Sequence, residues 1–413
     1  MHPLLIIFLC VLIVSWLLER VLDSLNSSRW GSSPPELVRE LYNDADYLKA
    51  KSYDQTGKKF SLISDTFSLL VMFILLVTGS FGKLDMLVHS WYPDDLTATL
   101  VFFGIIALGA DLLQLPFDIY KTFVIEQNFG FNKKTQGLFI SDRIKGYILG
   151  GLIGGSLIAL FSLTYQLAGP SFWIYAWVTV AILLLLTSMF YTTVLLPIFN
   201  KLTLLEDGEL KQAIVAYCTK TGFAIKNLMV MDGSKRSSKA NAFFSGIGAQ
   251  KKIVLFDTLI ANHSIPELVA VLAHETGHYK LKHTQSGLLL SLIQTGIMFF
   301  VFSIFIQYPQ FAEALGSTKP TLELGLLAFG ILYGPVSMAL SLATNFISRK
   351  HEYEADAYAT KTYNGVALQE ALKKLSVSNL SNPDPHPTYV FFYYSHPPLL
   401  HRLRAIEKVI QTA

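Results

Sequence analysis

Apolar residues gather into seven long blocks instead of alternating with polar ones. A helix rises 1.5 Å per residue, so about 20 largely apolar residues cross the hydrocarbon core of a bilayer. The blocks lie near residues 3–22, 61–81, 97–117, 146–167, 172–197, 285–308 and 322–347, and they predict seven transmembrane helices. The first block carries LLIIFLCVLIVSWLL, Leu4 to Leu18, with no Lys/Arg cluster before it and no small-residue cleavage site after it, so it is expected to be a retained span. The fourth carries YILGGLIGGSLIALF, whose glycines are expected to let helices approach closely in a packed bundle.

Between the blocks, Lys and Arg alternate. Arg20, Arg29, Arg39, Lys49, Lys51, Lys58 and Lys59 fall around the first loop, against Lys83 alone in the second. Lys121, Lys133, Lys134 and Arg143 fall in the third loop and none in the fourth; the segment 200–284 is rich in Lys, the sixth loop has Lys319, and the tail is basic. Positive loops stay cytoplasmic, so the N-terminus is expected outside or in a lumen and the C-terminus inside. Residues 1–199 then hold helices one to five and 285–348 helices six and seven, while 200–284 and 349–413 form two halves of one cytoplasmic unit. Within the first half, NLMVMDGS, NAFFSG and KKIVLFDTLI predict a small β-sheet, whose edge strand can pair with an extended peptide. The fold class expected is an all-α polytopic membrane protein with this one small sheet.

Composition agrees with the membrane reading, since 52% of the 413 residues are hydrophobic and 15% charged, against roughly a quarter charged in soluble domains. The net charge of +3 includes no basic block interleaved with aromatics, which excludes nucleic acid as an expected partner. Cys10 and Cys218 make neither a CxxC pair nor a disulfide framework. Asp65 and Asp111 lie inside spans and must face water or a partner, and Trp30, Trp91, Trp173 and Trp177 near span ends are expected to form an interfacial belt.

The chemistry is carried by LAHETGHYKLKH, Leu272 to His283. Residues four apart share a helix face, so His274 and His278 present two imidazoles to one metal, and Glu275 beside the first is placed as general base. SIPELVAVLA just before it supplies Ser264 as N-cap with Glu267 three residues on. A catalytic zinc takes three protein ligands. His283, five residues past His278, is turned away from the two-imidazole face and is expected at the surface or membrane interface. Stronger candidates lie in SRKHEYEADAYA, Ser348 to Ala359, where Glu352 and Asp356 share a face and Glu354 points roughly the opposite way. One carboxylate binds the metal, and the other receives a ligand ring N–H or meets the developing charge.

These segments resemble the type I CAAX prenyl proteases, integral-membrane zinc metalloendopeptidases that also occur in bacteria as inner-membrane homologues, and the resemblance covers most of the chain. LAHETGHYKLKH is similar to the family's zinc helix, SRKHEYEADAYA to its E-x-x-x-D helix, and YSHPPLLHRLRAIE, Tyr394 to Glu407, to its C-terminal signature. PFDIYKTFVIEQNFGFNKKT and SKRSSKANAFFSG also resemble family segments. The resemblance implies one zinc ion per chain on His274, His278 and Glu352, Glu275 as general base and Asp356 as auxiliary acid. It further implies a substrate-pairing strand at Asn241, Ala242 and Phe243, with His396 and Arg402 near the substrate or the oxyanion. The implied fold is a ring of seven helices enclosing a chamber, in the bacterial inner membrane or, in a eukaryote, the endoplasmic reticulum. The implied substrate is a peptide or protein, prenylated in the C-a-a-X case, with membrane lipid alongside; in a bacterium, membrane-protein quality control is the expected role. Two competing readings are a transporter, whose polar residues would lie mid-span rather than beside the spans, and an inactive scaffold that keeps the metal structurally.

Overall fold

The computed structural model describes residues 2–36, 39, 42–223, 227–245 and 252–412. Seven of its helices are long and apolar enough to cross a membrane, the number expected. The chain opens with α1 (Pro3–Ser27) and α2 (Asp44–Val77), followed by the short α3 (Ser80–Trp91). Then come α4 (Asp95–Tyr120), α5 (Gln136–Ala168) and α6 (Phe172–Phe190), with α7 (Leu196–Phe199) ending this half.

Several helices outrun their apolar blocks because polar caps start them early. Asn43 accepts the Asp46 backbone N–H at 2.8 Å, and Asp44 and Asp46 in the first turn complement the helix dipole, so α2 begins well before its apolar block.

A four-stranded sheet follows, built from β1 (Leu202–Leu204), β2 (Asn227–Met231), β3 (Ala242–Ser245) and β4 (Lys252–Phe256), with α8 (Glu209–Lys220) between the first two. Its order is β1-β2-β4-β3, with β2 and β4 parallel and the outer pairs antiparallel, which leaves β3 at an edge. After α9 (Asp257–Asn262), α10 (Ile265–Lys280) starts at a capping box in which Ser264 and Glu267 satisfy each other's backbone N–H groups. Next are α11 (His283–Phe305), α12 (Gln310–Ala314) and α13 (Leu322–Ala359). The 38 residues of α13 extend about 57 Å at 1.5 Å per residue, well beyond a bilayer core. The chain closes with α14 (Gly365–Ser378), α15 (Pro387–Tyr393) and α16 (Leu399–Thr412). One apolar core joins Ile214, Leu228, Ile253, Leu255, Leu268 and Leu272 to Leu368 and Ile406, so the segments before α11 and after α13 pack together.

The spanning helices do not form the packed bundle expected from the glycines of the fourth span. Only 6–17% of the apolar window of each span is buried. A Cβ added at Gly146, Gly150, Gly151, Gly154 or Gly155 would meet nothing within 4 Å. Lateral contacts run α1–α2, α4–α5, α5–α6, α6–α11, α11–α13 and α13–α1, and Phe60 and Phe67 of α2 meet Phe117 of α4. These contacts close a ring, in which each span is gripped along its flanks while its remaining faces stay open. The intramembrane acids find partners: Arg20 donates to Asp65 at 2.7 Å, and Arg143 Nε to Asp111 at 3.0 Å. Trp30 leaves the expected belt, being buried with Tyr42 and Tyr47 while its Nε1–H donates to Asp54 at 2.8 Å.

The crossing of α10 over α13 is close because Gly277 has no side chain. A Cβ there would lie 3.1 Å from Ala355 Cα and 3.2 Å from both Ala355 O and Tyr358 Cβ. Gly277→Val must therefore push the helices apart, with an expected loss of about 1–3 kcal/mol. Thermal unfolding in detergent should show a lowered midpoint and reduced metal content; an unchanged midpoint would mean that the crossing is not tightly packed.

Candidate metal centre

Two helices supply the donors. On α10, the Nε2 atoms of His274 and His278 lie 3.1 Å apart. From the extension of α13, Glu352 brings Oε2 to 3.5 Å from His274 Nε2 and Oε1 to 3.2 Å from His278 Nε2. Glu352 Oε2 is buried and has no hydrogen-bond partner among the described residues; the Arg402 guanidinium 3.4 Å away offsets part of the cost of burying it, and a metal ion would offset more. A tetrahedral site with ligands about 2.0–2.1 Å from the ion has edges of about 3.3 Å. The three donors match that spacing, so they fit a zinc-sized ion.

The far ring nitrogens fix the tautomers. His274 Nδ1 sits 2.9 Å from Asp356 Oδ1, a carboxylate that can only accept, so Nδ1 carries a proton and the neutral ring, the form that binds a metal, has its lone pair on Nε2. Burial alone would lower the pKa of His274, but Asp356 and Glu352 outweigh it and raise the value to about 9. The negative field that holds a proton there also favours a metal ion. Glu275, next to His274, is pushed above the usual carboxylate range by burial, with the imidazoles of His274 and His278 opposing.

Glu275 and His278 border two cavities. The first, of about 440 Å³, is also lined by Asn241, Ala242, Phe243, His274, Glu352, His396 and Arg402. A second, of about 470 Å³, lies toward the spanning helices between α11 and α13, lined by Thr284, Gln294, Thr344 and His351 among others. All of the residues expected at the site from the sequence except Asp356 thus border the first cavity. Asp356 is 1% exposed and stands behind His274, reaching the cavity only through that ring. Arg402, carried on α16, donates Nε and Nη2 to the Asp356 carboxylate at 2.8 and 2.6 Å and brings Nη1 to 3.4 Å from Glu352 Oε2. This bidentate pair is the charge-assisted geometry that locks a carboxylate in place. His396 is largely exposed, with Nε2 3.4 Å from Glu352 Oε1.

The surface position expected for His283 is overturned. It is 7% exposed, and its Nδ1 lies 3.0 Å from His278 Nδ1. The rotation that turned it away assumes an unbroken helix, whereas α10 ends at Lys280 and Lys282 takes a left-handed conformation (φ 60°). A new helix then begins at His283 and points the ring back. Glu354, on the opposite side of α13 from Glu352, meets that ring at 3.0 Å. A further group of donors, Asp85, His89 and Glu323, gathers 29 residues before Glu352 along α13, at the other end of the spans.

The chain is similar to known proteins along nearly its whole length. Residues 25–201 match the family model described as CAAX prenyl protease N-terminal, five membrane helices, and residues 204–410 match peptidase family M48. The chain is 34% identical to CAAX prenyl protease 1 of Saccharomyces cerevisiae over 91% of this chain and 88% of that protein. It is also 34% identical to the CAAX prenyl protease 1 homolog of Arabidopsis thaliana over 96% of each. The crystal structure of S. mikatae Ste24p superposes with a TM-score of 0.91 at 32% identity, covering 98% of this chain and 99% of that one. These relatives lend no support to a bacterial source or to the quality-control role tied to it. The chain belongs to peptidase family M48 and is an integral-membrane metalloprotease of the CAAX prenyl protease type.

Proposed function

We propose that the protein is a zinc endopeptidase that cuts C-terminal to a prenylated cysteine in C-a-a-X substrates, with one zinc ion held by His274, His278 and Glu352. The observation that carries the metal reading is the convergence of two imidazole Nε2 atoms 3.1 Å apart on the Glu352 carboxylate, which brings Oε2 to 3.5 Å from His274 and Oε1 to 3.2 Å from His278 while Oε2 makes no hydrogen bond among the described residues. The substrate class comes from the relatives, which are named CAAX prenyl proteases.

Bound zinc supplies Lewis acidity for the scissile carbonyl and the attacking water. Glu275 takes a proton from that water as its oxygen bonds to the carbonyl carbon, and returns the proton to the amine nitrogen as the C–N bond breaks. Its raised pKa suits it to both transfers. His396, exposed beside the ligands, offers an N–H to the developing oxyanion. Asp356 and Arg402 serve by holding His274 and Glu352 in place. Asn241 and the outer edge of β3 at Ala242 and Phe243, unpaired among the described residues, pair with the extended substrate, and the lipid lies along the apolar wall of the ring. The Lys/Arg alternation supports a cytoplasmic catalytic unit made of residues 200–284 and 349–413, with the N-terminus lumenal or outside.

Three outcomes are expected of the purified protein. Glu275→Gln should retain its zinc, measured by elemental analysis, while cleavage falls by about 10²–10⁴; retained cleavage would remove Glu275 from the chemistry. Glu352→Ala should lose most of its zinc, and full occupancy would move the third ligand elsewhere. Given prenylated and unprenylated forms of one C-a-a-X peptide, the protein should cut the prenylated form after its cysteine with at least tenfold higher kcat/KM, by about 1.4 kcal/mol or more of lipid recognition. Equal rates on the two would leave a general endopeptidase, and metal-bound protein that cleaves neither would be an inactive scaffold.

A further inference from the structure

We infer that His283 and Glu354 are positioning residues that tune the metal centre through His278, an inference that rests on reading His278 as a ligand. If His278 offers its Nε2 lone pair to the metal, its ring proton sits on Nδ1. The atom facing that proton is His283 Nδ1, at 3.0 Å, which must therefore carry a lone pair. His283 then bears its own proton on Nε2, and Glu354 Oε2 accepts it at 3.0 Å. One choice of tautomers satisfies every link from the carboxylate to the metal ligand.

The two histidine ligands are consequently supported in different ways. His274 meets the buried carboxylate of Asp356 directly, whereas His278 reaches a partly exposed carboxylate, Glu354, through an imidazole spacer. His351 holds the spacer by stacking on it, with ring centroids 3.9 Å apart and planes 8° from parallel. The proximity of His283, His351 and Glu354 also admits a second cation in principle. Stacking argues against that use, because the in-plane lone pairs of two parallel rings run side by side and do not converge on one ion. The relay instead orients the His278 ring and makes its Nε2 more basic, as outer partners of metal-bound histidines do.

The test is zinc affinity of the full-length protein, measured by competition with a chelator, together with the melting of each metal-free variant. His283→Phe keeps the stack and removes the acceptor; it should weaken zinc binding by about 10–100-fold while the metal-free protein melts with the parent. His283→Asn places an amide oxygen near the Nδ1 position and should recover much of that loss. Glu354→Ala, at a partly exposed position, should weaken binding severalfold, with Glu354→Gln nearer the parent. The inference is overturned if His283→Phe stays within twofold of the parent, if the Phe and Asn variants are equally weakened, or if His283→Phe removes a second equivalent of zinc. His278→Ala separates this from the reading beneath it, since parental zinc affinity in that variant would show that His278 is not a ligand at all.

Discussion

The site depends on how closely α10 can lie on α13. His274 and His278 sit on one helix and Glu352 on another, with the membrane-spanning α11 and most of α13 between them in sequence. Donors from two helices converge to within 3.5 Å only if the backbones nearly touch, and Gly277 against Ala355 permits it. Glycine in a helix interior costs about 1 kcal/mol relative to alanine. The close approach offsets that cost by setting the spacing of the metal donors. The spanning helices then have a structural task beyond anchoring, because the extension of α13 delivers Glu352 and Asp356 as a rigid continuation of a span.

Around this crossing, the arrangement of charge favours a cation between the two imidazoles and Glu352. Asp356 and Arg402 neutralise each other in a bidentate pair, and Glu352 faces two imidazoles with one oxygen that makes no hydrogen bond among the described residues and has Arg402 Nη1 3.4 Å away. Arg402 arrives from the C-terminal helix, which joins the core on the sheet side through Ile406, beside Leu368 of α14. Packing of the tail therefore sets the electrostatics of the centre, and the elements before α11 and after α13 work as one unit.

Much of this was legible in the sequence, for specific reasons. A span needs only a sufficient apolar length, so all seven were found, although caps such as Asn43 and the polar extension of α13 lay beyond what apolar length reports. Spacing of four placed His274 with His278 and Glu352 with Asp356, because both pairs lie on uninterrupted helices. The same reasoning failed for His283, since the helix breaks at Lys282, a residue type that carries no turn signal. It failed again for the glycines of α5, because the small-residue rule presumes a facing helix and the ring leaves that face open.

Anomalous diffraction at the zinc absorption edge, from crystals of the full-length protein, addresses the central claim most directly. One peak per chain is predicted, between the Nε2 atoms of His274 and His278 and the carboxylate of Glu352. A peak at His283, His351 and Glu354, or at Asp85, His89 and Glu323, with none beside Glu275, would contradict the account.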